Sequence, residues 1–164
     1  MRLKDKIEEL KNNLNDYEFN NVVAVNKLIN DSLYYVEDID LWNVKDYWAT
    51  PAETIEKEAG DCEDIAILKY FLLKSIGVDE NKLELMYCLH NNNEYHMVLL
   101  YEGDLILDNI VRAINRLEFS LTRIKPIYSF NESSFWIYTR EGKIEAKGKQ
   151  LKMSKWIELL KKIE

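Results

Sequence analysis

The residues most able to do chemistry are gathered in Gly60-Asp61-Cys62-Glu63-Asp64, at the start of an apolar segment that runs to Ser75. A cysteine in the first turn of a helix is favoured as a thiolate by unpaired backbone N–H groups and the helix dipole, and the thiolate is the nucleophile. Composition alone leaves Cys62 equally readable as a small buried apolar residue. The flanking acids suit a helix start, and Asp61 is a good cap. Beside a reactive thiolate they are a difficulty, because like charge raises its pKa. A bound cation resolves that conflict. Carboxylate oxygens without histidine or further cysteine are hard ligands, so Asp61, Glu63 and Asp64 point to Ca²⁺ before Zn²⁺, although their spacing is not that of an EF-hand loop.

Only two histidines compete for the role of base. His90 borders the Asn91-Asn92-Asn93 turn signal and reads as solvated. His96 lies inside an apolar strand with Tyr95, Met97, Val98, Leu99 and Leu100 around it, where it reads either as a satisfied structural residue or as a base. Asp108 ends the apolar run Leu105-Ile106-Leu107, and a carboxylate there needs a partner such as an imidazole. A cysteine at a helix start, a histidine on a strand and an aspartate on the next strand form the papain-like arrangement for nucleophilic acyl transfer. Cys88, mid-strand in an apolar run, reads as core.

The elements that must position these groups are helices first and strands later. Leu3, Ile7, Leu10 and Leu14 predict an amphipathic helix over the first fifteen residues, and Val22, Val25, Leu28 and Ile29 a second over 20–32. Residues 34–48 read as irregular and aromatic-rich. Thr50-Pro51-Ala52-Glu53 carries a cap, a first-position proline and the glutamate of a capping box, starting a short helix expected to stop at Gly60. The helix from Asp61 to Ser75 is apolar nearly all round, hence buried. Strands follow at 82–90, 94–101, 105–109, near 126–130 and 135–139, with a hairpin at Glu141-Gly142 and a last amphipathic helix after Ser154. The fold class is α+β, helices packed on an antiparallel sheet, in one domain over residues 1–164.

Parity adds a condition. His96, Val98 and Leu100 share a strand face. A two-residue turn at Glu102-Gly103 would put Asp108 on the other face. A three-residue turn Glu102-Gly103-Asp104, or a bulge, pairs Val98 with Asp108 and leaves Asp108 diagonal to His96.

Composition closes other doors. The chain has 164 residues and a net charge of −7 with no dense basic stripe, which excludes a general nucleic-acid binder. Two cysteines make neither a disulfide scaffold nor a four-thiolate zinc site. No apolar run approaches a membrane span, so an integral membrane protein is not expected. Met1–Lys6 is not a secretion signal; the chain is expected to be cytoplasmic, or a mature form whose export signal has been removed.

Asp46-Tyr47-Trp48-Ala49-Thr50-Pro51-Ala52-Glu53, Gly60 to Ala66, His96-Met97-Val98-Leu99, Leu107-Asp108-Asn109 and Pro126 to Asn131, with Val25-Asn26 and Asn30 upstream, together resemble the bacterial transglutaminase-like cysteine proteinases of the LapG type. That resemblance implies a papain-like, transglutaminase-like fold with Cys62, His96 and Asp108 as a catalytic triad. It also implies a Ca²⁺ site around Asp61, Glu63 and Asp64. Such enzymes are periplasmic endopeptidases that cut the amino-terminal region of large surface adhesins, under an inner-membrane cyclic-di-GMP receptor of the LapD type that controls biofilm. By the same resemblance Asp46, Tyr47 and Trp48 are a candidate docking surface for the receptor, although Trp48 reads equally as core beside Pro51. Two rival readings accompany it: transglutaminase-type acyl transfer to an amine, and an inactive module that only binds peptide.

Overall fold

The computed structural model describes residues 1–91 and 93–163. The middle residue of the expected Asn91-Asn92-Asn93 turn lies outside the described residues. Two helices, α1 (Leu3–Lys11) and α2 (Glu18–Ser32), open the chain. The first ends before Leu14, which is exposed. The segment read as irregular holds a short strand β1 (Tyr34–Tyr35) and a short helix α3 (Asp38–Trp42).

Helix α4 (Pro51–Lys57) starts as the sequence dictates. Thr50 takes the N–H of Glu53, the Glu53 carboxylate takes the N–H of Thr50, and both halves of the capping box are formed. Its end differs from expectation. Glu58, not Gly60, closes the helix in the left-handed region at φ 54°, and its carboxylate accepts the N–H of Leu3 at 2.6 Å. Gly60 instead lies in strand β2 (Ala59–Gly60), paired parallel with β1 so that Tyr35 stands opposite Gly60. The glycine serves a close approach: a Cβ on it would lie 2.7 Å from the Cβ of Asp64.

Helix α5 (Cys62–Ser75) follows at once and is buried on most sides, as its apolar circumference requires. It lies across one face of a seven-stranded antiparallel sheet. The strands are β3 (Leu83–His90), β4 (Glu94–Tyr101), β5 (Leu105–Leu107), β6 (Asn115–Arg116), β7 (Ile124–Phe130), β8 (Phe135–Thr139) and β9 (Gly142–Glu145), in the order β6-β5-β4-β3-β7-β8-β9. Leu83, Leu85, Met97, Leu99, Tyr101 and Leu107 join α1, α2, α5 and the last helix, α7 (Ser154–Ile163), in the main core. Trp156 of α7 is fully buried there, edge-on to Tyr70 and Phe130.

The central strands are buried on their second face as well. Met86, Cys88, Val98, Leu100, Ile106 and Ile124 form a smaller cluster, closed by Leu117 of the short helix α6 (Leu117–Ser120) and by Tyr138. Cys88 is core, as expected.

Candidate active site

Three stretches of backbone converge on the start of α5. The β1–β2 pairing, with the N–H of Val36 on the carbonyl of Gly60 at 3.0 Å, lays the 34–38 strap along the approach to Asp61. Asp61 caps α5 by accepting the N–H of Asp64, and Asp64 Oδ2 accepts the N–H of Asp61 in return. Asp64 Oδ1 takes the N–H of Ala49 at 2.9 Å, which ties the α4 approach to the same spot. Asp38 reaches in from α3 with Oδ2 on the N–H of Tyr47 at 2.8 Å.

The result is a trio of buried carboxylates, Asp38, Asp61 and Asp64, each offering an oxygen within 4.8 Å of the others. Asp38 Oδ1 is buried and has no hydrogen-bond partner among the described residues. Burial pushes the Asp61 carboxyl up to about 11, with the charges of Glu63 and Asp64 adding to it, and lifts Asp64 to about 6 and Asp38 upward. Buried like charges with an unpartnered oxygen are the donor set of a hard cation: a divalent ion among them would satisfy Asp38 Oδ1 and remove the repulsion. Glu63 stands outside the trio. Its Oε2 accepts the Cys62 thiol at 3.2 Å, and its charge bears on Asp61. Asp38 was missed by sequence reasoning, since only the parallel β1–β2 pairing brings this acid to the α5 start.

Cys62 is buried, and burial followed by the charge and hydrogen bond of Glu63 pushes its thiol upward. The backbone N–H of Met97 works the other way. The sulfur therefore lies near β4 one residue from His96, and its hydrogen bond goes to Glu63.

His96 and Asp108 are joined. His96 Nε2 lies 2.7 Å from Asp108 Oδ1, with both side chains buried. The odd-loop condition is met: Tyr101 pairs with Leu105 and Leu99 with Leu107, so three residues lie between the strands. Glu102 and Gly103 adopt φ of 53° and 70°, and the N–H of Asp104 closes the turn on the carbonyl of Tyr101. Burial alone would raise the Asp108 carboxyl. The bond and charge of His96, the N–H of Ile110 and the guanidinium of Arg123 outweigh it and hold it near the bottom of the carboxylate range, at about 2. Because Nε2 engages Asp108, Nδ1 is the ring atom left to exchange a proton with a thiol.

His90 is not solvated, as its turn-edge position suggested, but buried. Its ring meets that of His96 at 5.7 Å between centroids, because the two share a strand face across the β3–β4 pair. Trp48 is half-buried and stacks on Phe130, so it neither belongs wholly to the core nor stands free.

Comparison with known proteins identifies the family and the fold. Residues 3–143 match the family model described as bacterial transglutaminase-like cysteine proteinase BTLCP. A search of curated proteins by sequence finds no match. Among solved structures, EGTA-treated LapG of Legionella pneumophila is 28% identical with a TM-score of 0.77, covering 100% of this chain and 98% of that one. Calcium-bound LapG of the same organism is 33% identical with a TM-score of 0.76, covering 99% of this chain and 87% of that one. With the α+β, transglutaminase-like fold of those structures and a family match over most of its length, the chain belongs to the bacterial transglutaminase-like cysteine proteinases.

Proposed function

We propose that residues 1–164 act as one catalytic domain, a calcium-dependent cysteine endopeptidase in which Cys62, His96 and Asp108 form the triad. The observation that supports it best is the buried His96–Asp108 pair, whose histidine lies on β4 next to Met97, the residue whose N–H faces the Cys62 sulfur. Cys62 attacks the scissile carbonyl, His96 Nδ1 takes the thiol proton and returns it to the leaving amine, and Asp108 holds the imidazole through Nε2. The backbone N–H of Cys62, at the start of α5, is one oxyanion donor.

Asp61 and Asp64, with Asp38, hold Ca²⁺, and Glu63 borders the site. Bound there, Ca²⁺ supplies positive charge that offsets the acids around the sulfur. With that charge balanced, the thiol proton now given to Glu63 is free to pass to His96. The calcium-bound and EGTA-treated LapG structures of similar fold support this assignment.

The substrate is the amino-terminal region of a large surface adhesin, cut in the periplasm, and an inner-membrane cyclic-di-GMP receptor of the LapD type restrains the enzyme to preserve biofilm. Membership of a proteinase family supports a protein substrate. Among the described residues, no helix is long and apolar enough to cross a membrane. The test is cleavage of an adhesin amino-terminal fragment by wild type with Ca²⁺, wild type with EGTA, and Cys62→Ala. Cleavage in the first case alone is expected; equal cleavage by Cys62→Ala overturns the reading.

A further inference from the structure

Asp108 has a second charged partner that the triad does not use. Arg123, in the turn between α6 and β7, places Nη1 2.8 Å from Asp108 Oδ2. Its backbone is fixed on both sides, N–H to the carbonyl of Ser120 at 2.9 Å and carbonyl to the N–H of Asn91 at 2.8 Å. The guanidinium is therefore delivered from a closed turn that is also tied to the β3–β4 connection.

The two oxygens of Asp108 are divided between different donors. Oδ1 takes His96 Nε2 and the N–H of Ile110; Oδ2 takes Arg123. With one oxygen free, the carboxylate could turn about its Cβ–Cγ bond and offer His96 another angle. With both engaged, its plane is set. Charge matters as well. A buried carboxylate facing only a neutral imidazole is an uncompensated buried charge, which costs several kcal/mol. A guanidinium stays charged at all working pH. With Arg123 in place, Asp108 has a permanently charged partner on the oxygen that His96 does not use.

We infer that Arg123 is a positioning residue for the acyl transfer, acting through Asp108 to fix the orientation of His96. The inference rests on the triad reading above and concerns a residue outside the triad. Lys69 and Arg112 also act on this region: the Lys69 amine feels the charge of Asp108, and Arg112 opposes it. Neither is within bonding distance of the carboxylate as Arg123 is.

The test compares wild type with Arg123→Met, Arg123→Lys, Arg123→Ala and Asp108→Asn on the adhesin fragment, each holding Ca²⁺. Arg123→Met is expected to lose roughly 10–100-fold in kcat with KM within about twofold, the scale on which partners of a site's primary residues act. Arg123→Lys should recover part of kcat, and added methylguanidinium should partly restore Arg123→Ala. The His96 ring N–H, seen by proton NMR as a downfield resonance absent in His96→Gln, should shift in Arg123→Met. Should Arg123→Met alter folding, the lysine variant and the methylguanidinium rescue carry the result. Full kcat in folded Arg123→Met beside an inactive Asp108→Asn overturns this inference and leaves the triad standing. Full activity in Asp108→Asn overturns the triad reading itself, and this inference with it.

Discussion

Gly60→Ala is expected to destabilise the protein at a position where the backbone alone would favour alanine. Gly60 does not have a positive φ, so alanine strains nothing locally and should stabilise by about 0.4–1 kcal/mol through the unfolded chain. The structure reverses that sign. The new methyl would stand 2.7 Å from Asp64 Cβ, 3.0 Å from its Oδ2 and 3.3 Å from its Cγ, against an ordinary contact of 3.4 Å or more. Asp64 is not a loose side chain that can swing aside: its two oxygens hold the N–H groups of Ala49 and Asp61. Overpacking of this kind costs about 1–3 kcal/mol, and weakening the hydrogen bonds to a carboxylate about 1 kcal/mol more. The net loss is about 2–3 kcal/mol. Urea unfolding should show a lower midpoint at unchanged slope, and calorimetry a weaker Ca²⁺ affinity, since Asp64 belongs to the acidic trio. Asp64→Gly removes the atoms that clash, so Gly60→Ala should cost little in that background. A Gly60→Ala protein as stable as wild type, or costs that simply add in the double variant, would refute the reasoning.

Further expectations concern the acids and the buried amine. Asp38→Asn should weaken Ca²⁺ binding at least tenfold by calorimetry while Asp40→Asn, which lies outside the trio, leaves it unchanged. Asp108, held down at about 2, contributes roughly 2 kcal/mol of stability that is complete above about pH 4 and lost as pH falls towards 2. The stability difference between wild type and Asp108→Asn should close over that window in acid titrations followed by circular dichroism. Lys69 is fully buried with its amine hydrogen-bonded to Asn30, and burial holds that amine at about 7. A depressed lysine destabilises progressively as pH falls from about 10.4 and fully below its folded value. Lys69→Met should therefore raise stability by up to about 5 kcal/mol below pH 7, a gain that fades by about pH 10 in urea titrations.

Much of the site was legible because its signals are local. The α4 capping box, the apolar α5 and the odd loop before Asp108 each follow from residues within a few positions of one another. Parity converted the last of these into a condition on which face Asp108 occupies. What was not legible depends on pairings distant in sequence. Asp38 becomes part of the acidic trio only through the parallel β1–β2 pair. Arg123 reaches Asp108 only because the β3–β4 and α6–β7 turns meet. His90 looked solvated from its asparagine neighbours, yet the sheet is covered on both faces and its ring is enclosed against His96. Gly60 looked like a helix stop, whereas its missing side chain is what lets Asp64 close on Asp61.

On the proposed mechanism, Cys62 becomes a competent nucleophile when a cation balances the acids around it. Carboxymethylation by iodoacetamide at neutral pH, followed by peptide mass mapping of Cys62 and Cys88, measures this without any substrate. Cys62 should react rapidly with Ca²⁺ present, slowly in EGTA, and slowly in His96→Ala, while Cys88 stays unreactive throughout. Cys62 labelling no faster than Cys88, or at the same rate with Ca²⁺ and with EGTA, would contradict the account.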